Sequence, residues 1–270
     1  MAADRGVVAL ADGGRLAYEV TGAGPPLLLC RWGAGGLPVW RPFADALAAS
    51  HRVIAFDPRG TGGSTDAPFT ITTRRMARDA VALLDALEVA RADVFGESLG
   101  GMTGSWLAID TPGRVDRLVL ASTLPEPSAI SPRALVRGLG FARCFAGPPG
   151  EAIVCALRRM TAPRFCAEHP DRMAAIEAAL RRAPSSRRNM VALGLAALRH
   201  RAGPALRRAR APTLLLFGEL DPLVGHVARA ELVAERPGAV VEVLAGVGHA
   251  LTLEQPVDTA ARVRAFLAGR

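Results

Sequence analysis

The chain has 270 residues, half of them hydrophobic, and a formal net charge of +8. That length and apolar content suit one α/β domain with a large buried core and room for an insertion. The longest apolar stretches, PTLLLFG and VVEVLAG, fall far short of the roughly 20 residues that a membrane span requires. The first residues, MAADRGVVALADGG, have no basic start, apolar run or small-residue cleavage site, so a soluble cytoplasmic protein without an export signal is expected. Cys30, Cys144, Cys155 and Cys166 form no C-x-x-C pair and have no histidine at zinc-site spacing. Free, mostly buried thiols are therefore expected. No ligand cluster or phosphate loop implies a metal or an organic cofactor.

In chain order, VVAL (7 to 10) and LAYEV (16 to 20) flank ADGG and read as a hairpin with an Asp-Gly turn. Short runs that are apolar throughout follow: LLLC (27 to 30), RVIAF (52 to 56), ADVFG (92 to 96), RLVLAS (117 to 122), TLLLF (213 to 217) and VVEVL (240 to 244). Such runs suit parallel strands buried on both faces. Helix-period stretches lie between them, including 72 to 89, 101 to 111 and 256 to 269, the last opening near a proline and closing on glycine. This alternation predicts a doubly wound, mostly parallel α/β sheet.

From 124 to 212 the strand pattern stops. Helical segments separated by proline and glycine take its place: SPRALVRGLGFAR, GEAIVCALRRM, HPDRMAAIEAALRRA and SSRRNMVALGLAALRH, with Ser131 and Pro132 as an N-cap and N1 pair. This interval reads as a helical cap, and residues 1 to 123 and 213 to 270 as the core. All 33 basic residues are arginines, and residues 125 to 210 hold 16 of them against five acids. Coding bias accounts for the exclusive use of arginine. The positive cap also suits an acidic carrier protein or coenzyme A presenting a thioester. Nucleic acid is not expected, because the arginines lack interleaved aromatics or a binding motif.

FGESLGG (95 to 101) places Ser98 where a strand turns directly into a helix. A tight turn there strains the central residue and lifts its side chain clear of the sheet, and side chains at Gly96 and Gly100 would collide across it. A lone G-x-S-x-G is weak, but its position after the central strand gives it weight. A serine hydroxyl needs a base, and the base needs an orienting group. His249, in the loop GVGHALTLE after the last strand, can reach Ser98 at the carboxyl edge of the sheet. Asp221 in FGELDPLV is the orienting acid, with Glu219 as the alternative. His51 reads as structural or surface, His169 and His200 as solvated cap residues, and His226 as a residue at the cap edge.

The motifs FDPRGTGGS (56 to 64), GESLGGM, GELDP and GVGH together resemble the α/β-hydrolase superfamily over essentially the whole chain. The chain looks most like small bacterial enol-lactonases, esterases and cofactor-free perhydrolases with a helical cap between strands six and seven. The resemblance implies an eight-stranded sheet, with Ser98 as nucleophile, Asp221 as acid and His249 as base. It also implies an oxyanion hole from the amides of Gly33 and Leu99. One departure stands out. PPLLLCRWGAGG puts Arg31 and Trp32 where the family usually has His-Gly. Arg31 then either binds an anionic group of the substrate or fills the structural place of the histidine. Trp32 is a candidate substrate contact, and Glu97 either influences the base near the pocket or makes a structural hydrogen bond. The expected activity is hydrolysis of a medium-sized, largely apolar ester, lactone or thioester. Non-hydrolytic biosynthetic chemistry or slow-turnover ligand binding are the alternatives, since fold and triad do not separate them.

Overall fold

The computed structural model describes residues 3–33, 35–127, 143–144, 146–182 and 185–269. Eight strands form one sheet: β1 (Asp4–Ala9), β2 (Arg15–Thr21), β3 (Pro26–Cys30), β4 (Arg52–Phe56), β5 (Ala92–Glu97), β6 (Val115–Ala121), β7 (Thr213–Gly218) and β8 (Val240–Leu244). Their spatial order is β1-β2-β4-β3-β5-β6-β7-β8. The hairpin β1–β2 and the β2–β4 pair are antiparallel, and every later pairing is parallel. Strands β3, β5, β6 and β7 are almost wholly buried because helices cover both faces, which is why their sequences are apolar without alternation.

One face packs α2 (Thr73–Ala86) and α3 (Leu99–Asp110) against Leu28, Val94, Leu118 and Leu120. The other packs α1 (Arg41–Ala48) against Leu27, Leu29, Phe95 and Leu214, with Trp40, Phe43 and Phe95 in mutual ring contact. Helix α2 starts one residue after its expected position because the Thr72 side chain caps it, accepting from the Arg75 amide. It stops early because the chain reverses through Glu88 at φ 54, a left-handed value that a helix cannot continue.

Between β6 and β7 the described residues contain helices α4 (Pro149–Met160), α5 (Pro163–Glu168), α6 (Pro170–Arg182) and α7 (Arg187–Leu198), then a 3₁₀ turn (Gly203–Arg208). No strand occurs there among the described residues. The expected cap at Ser131 and Pro132 lies outside them. Helix α7 seats on the core through Asn189, which accepts from the Ala67 amide at 3.0 Å and donates to Asp66 at 2.7 Å. Helix α8 (His226–Glu235) joins β7 to β8, and the short helix α9 (Leu251–Glu254) and α10 (Pro256–Ala268) follow β8. Among the described residues no helix is long and apolar enough to cross a membrane.

Two expectations need correction. Cys144 and Cys155 are not free: they form a disulfide whose Cα atoms lie 5.4 Å apart, because α4 carries Cys155 back beside the segment that precedes the helix. A bridge of this kind persists most readily in an oxidising compartment, which the cytoplasmic expectation did not anticipate. Cys30 and Cys166 remain free, and burial pushes the Cys30 thiol up to about 12. The second correction is His200. It is buried rather than solvated, since the chain after α7 folds back onto α2 and α3. There its Nδ1 meets Thr73 Oγ1 at 2.8 Å and its ring meets the Trp106 ring.

Burial lowers the His200 pKa to about 3, so the folded state keeps it neutral where an unfolded chain protonates it near 6.5. Folding stability is therefore lost as pH falls from 6.5 toward 3. His200→Asn, which retains an acceptor for Thr73, is expected to show a smaller drop in melting temperature between pH 7 and pH 4.5 than the wild type. An equal drop in both proteins would contradict this assignment.

Candidate active site

Strand β5 ends at Glu97, α3 begins at Leu99, and Ser98 joins them with φ 55 and ψ −119. That backbone is strained for a residue with a side chain, and close backbone packing keeps it in place. A Cβ on Gly96 would run into the Gly100 carbonyl, and one on Gly100 into the Cys30 carbonyl, so only glycine lets the elbow close this tightly. The Ser98 amide donates to the Ala121 carbonyl at 2.9 Å, and Thr123 Oγ1 donates to the Ser98 carbonyl at 2.8 Å. The elbow is thus fastened to the end of β6 on both sides.

The loops after β7 and β8 bring two more side chains to the same edge. Ser98 Oγ lies 2.9 Å from His249 Nε2, and His249 Nδ1 lies 2.8 Å from Asp221 Oδ2. Asp221 Oδ1 accepts from the amides of Leu223 and Val224 at 2.8 and 2.9 Å, which fixes the carboxylate with its second oxygen turned to the imidazole. The two loops approach closely because both carry glycine: a Cβ on Gly218 would strike the Gly248 carbonyl. Glu219 does not join this relay. It is exposed, and its carboxylate accepts from the Gly246 amide. His51, His169 and His226 also lie outside it. His51 is beside Ser50, His169 packs at a tilt against the Phe165 ring, and His226 is exposed at the start of α8.

The electrostatics are those of a buried acid–base pair. Burial would lower the His249 pKa, but the Asp221 carboxylate and its hydrogen bond, helped by Glu97 and Glu254, more than reverse this, and the net shift is upward. Burial would likewise raise Asp221, but His249 and the two loop amides hold it below the ordinary carboxylate value. A base that stays able to accept a proton beside an ionised acid is what serine activation requires.

Gly33 and Leu99 are adjacent. A Cβ on Gly33 would lie 3.4 Å from Leu99 Cδ2 and 2.6 Å from Leu193 Cδ1 of α7. Leu99 opens α3, so its N–H has no acceptor within the helix. Leu193 of α7 packs over this pair.

Arg31 departs from the substrate-binding expectation. It is fully buried, and its guanidinium is consumed by protein partners: Nε donates to the Phe56 carbonyl at 3.1 Å, one NH group to the Gly36 carbonyl at 2.6 Å, and the other pairs with Asp57. The charge locks the loop that carries Gly33 to the end of β4. No face remains for a ligand. Glu97 is also fully buried. Its carboxylate accepts from the Thr252 amide at 3.2 Å and the Thr252 hydroxyl at 2.7 Å. Trp32 is half-buried against the α1-face core, and its indole N–H has no partner among the described residues. Thr123 and Glu254, both bound to backbone groups around the relay, were missed by sequence reasoning. A hydrogen bond to the main chain leaves no residue pattern to read.

With this geometry in view, comparison with known proteins gives a consistent result. Residues 25–152 match the model of the alpha/beta hydrolase fold. A Variovorax paradoxus protein described provisionally as the carbamate hydrolase RutD is 41% identical over 166 residues. That match covers 59% of this chain and only 60% of the relative's length. The Pseudomonas syringae protein of the same description is 30% identical over 257 residues, covering 91% of this chain and 95% of the relative. Among solved structures, a thermophilic esterase from Thermogutta terrifontis superposes with a TM-score of 0.81 at 26% identity over 98% of both chains. A parallel sheet with its loops converging on a strand-to-helix elbow defines the class. The chain belongs to the α/β-hydrolase family.

Burial pushes Glu97 up to about 7 against the hydrogen bonds from Thr252, and its carboxylate raises the His249 pKa. Removing that charge in Glu97→Gln is expected to lower the pH at which the His249 imidazole titrates, measured by NMR, with Asp221 and Glu254 still in place. An unchanged titration would show that Glu97 does not act on the base.

Proposed function

We propose that the protein is a serine hydrolase acting on a carboxylic ester, lactone or thioester of medium size and largely apolar character. The observation that carries this reading is the continuous relay from Ser98 Oγ through His249 to Asp221, with separations of 2.9 and 2.8 Å. Ser98 Oγ attacks the carbonyl carbon as His249 Nε2 takes its proton, and Asp221 stabilises the imidazolium that forms. The amides of Gly33 and Leu99 stabilise the oxyanion, each donor contributing about 2.7–4 kcal/mol. His249 returns the proton to the leaving oxygen or sulfur, and then activates a water that releases the acyl group from Ser98.

Supporting observations come from around the relay. Leu99 and Leu193 give the surroundings of the oxyanion site an aliphatic character that suits an apolar acyl group. The names of the relatives, a carbamate hydrolase and an esterase, both describe attack on an acyl carbon attached to a heteroatom. Fold and triad do not separate the non-hydrolytic and ligand-binding alternatives from hydrolysis, and the altered Arg31–Trp32 loop is the feature that discriminates them. The structural role of the Arg31–Asp57 pair weakens the motive for them. A carrier-linked or coenzyme A thioester draws its support from an open cleft of about 620 Å³ lined by Arg143, Arg158, Arg159 and Arg181, in which Arg158 and Arg181 are ion-paired with Glu177 and Glu151.

A panel of nitrophenyl esters of graded acyl length, simple lactones and acyl-coenzyme A thioesters tests the reading. The wild type is expected to turn over at least one class, and Ser98→Ala and His249→Gln to lower kcat about ten-thousandfold or more while remaining folded. Full turnover by Ser98→Ala on any of these substrates would overturn the mechanism.

A further inference from the structure

The loop that carries His249 is fastened to the cap as well as to the core. The His249 amide donates to the Met160 carbonyl at the end of α4, 2.8 Å away. One carboxylate oxygen of Glu254, on α9, accepts two amides at once: that of Gly248 at 2.9 Å and that of Ala162 at 3.0 Å. Gly248 precedes His249, and Ala162 lies in the corner between α4 and α5. There is no slack in the joint, because a Cβ on Gly248 would lie 2.5 Å from the Met160 carbonyl oxygen and 2.6 Å from the Ala162 nitrogen. A third tie comes from α6, where Arg172 donates to the carbonyls of Leu253 and Glu254 at 3.0 and 3.2 Å. Glu254 is 3% exposed, so water cannot easily replace it as the acceptor for those amides.

Resting on the serine-hydrolase reading above, we propose that Glu254 is a positioning residue which clamps the cap corner to the base loop and thereby holds His249 Nε2 in line with Ser98. Among the described residues the imidazole is bonded to Asp221 and Ser98, and the Glu254 carboxylate to backbone amides. The carboxylate acts by fixing the peptide that joins Gly248 to His249, so a cap displaced at Ala162 would carry the base out of line. Misplacement of a catalytic group by about 1 Å can cost around a hundredfold in rate.

Glu254→Gln and Glu254→Ala separate this role from two others. Glutamine keeps an oxygen that can accept both amides but removes the charge, whereas alanine removes both. Under the clamp, Glu254→Ala loses about a hundredfold in kcat per folded active site with KM within about twofold, and Glu254→Gln stays within a few-fold of wild type. Both variants shift the acid limb of the rate profile downward together, because both lose a negative charge near His249. An equal loss of kcat in the two variants would assign the effect to charge and overturn the clamp. So would a lowered melting temperature with unchanged kcat, which is the signature of a structural role alone.

A second readout does not depend on turnover: the downfield proton resonance of the His249 Nδ1–H bonded to Asp221. It is expected to be sharp in wild type and Glu254→Gln, and broadened by solvent exchange in Glu254→Ala. That pattern in a protein that cleaves no ester would uphold the clamp while the functional reading failed. A sharp resonance in Glu254→Ala would overturn the clamp whatever the activity.

Discussion

The backbone of Ser98, at φ 55 and ψ −119, is the constraint on which the rest of the site depends. Holding a non-glycine residue there costs on the order of 1–3 kcal/mol, which must be supplied by the surrounding structure. Strand β5 supplies it on one side, where Ser98 is bonded to the end of β6, and α3 on the other, where Gly100 rests on the Cys30 carbonyl. The sheet order brings β3, β5, β6, β7 and β8 side by side, so the loops that follow them all open beside this one serine. The position of every candidate side chain follows from that convergence.

The same edge is held together by buried charge. Arg31 and Asp57 are removed from water and are tolerated only because nearly every polar atom has a partner: the guanidinium finds two carbonyls besides the carboxylate, and Asp57 also accepts from the Gly63 amide at 2.9 Å. A histidine could not make this many contacts with so long a reach. Arginine therefore fixes the Gly33 loop to the end of β4 through contacts that a histidine could not make. Around His249, three carboxylates, Asp221, Glu97 and Glu254, meet a single imidazole. Hydrogen bonds divide them by role: Asp221 reaches the ring, while Glu97 and Glu254 satisfy neighbouring backbone amides.

Much of this was legible in the sequence, for identifiable reasons. Strands buried on both faces leave unbroken apolar runs, so RVIAF coincides with β4 residue for residue. VVEVL also coincides with β8, but its expected burial fails, because β8 is the edge strand and leaves Val240, Val241 and Val243 exposed. The elbow was legible because its geometry demands glycine at 96 and 100. Asp221 and His249 stood out because each occupies a loop directly after a strand. What escaped depends on partners distant in sequence. Nothing local announces Asp57, 26 positions from Arg31, so the anion-binding and structural readings of that arginine both stood open, and His200 read as solvated although Thr73, 127 positions away, receives it. The Glu254–Ala162 contact, 92 positions apart, escaped for the same reason, and the disulfide, only 11 apart, escaped because it needs α4 in place. A helix or loop must fold before those groups become neighbours.

The central claim is that Ser98 is an activated nucleophile, and the most direct measurement is intact mass after treatment with a fluorophosphonate, followed by peptide mapping, in wild type and Ser98→Ala. The account predicts one adduct on the wild type, located on Ser98, and none on the variant. A folded wild-type protein that takes up no adduct, or an adduct that persists in Ser98→Ala, would contradict it.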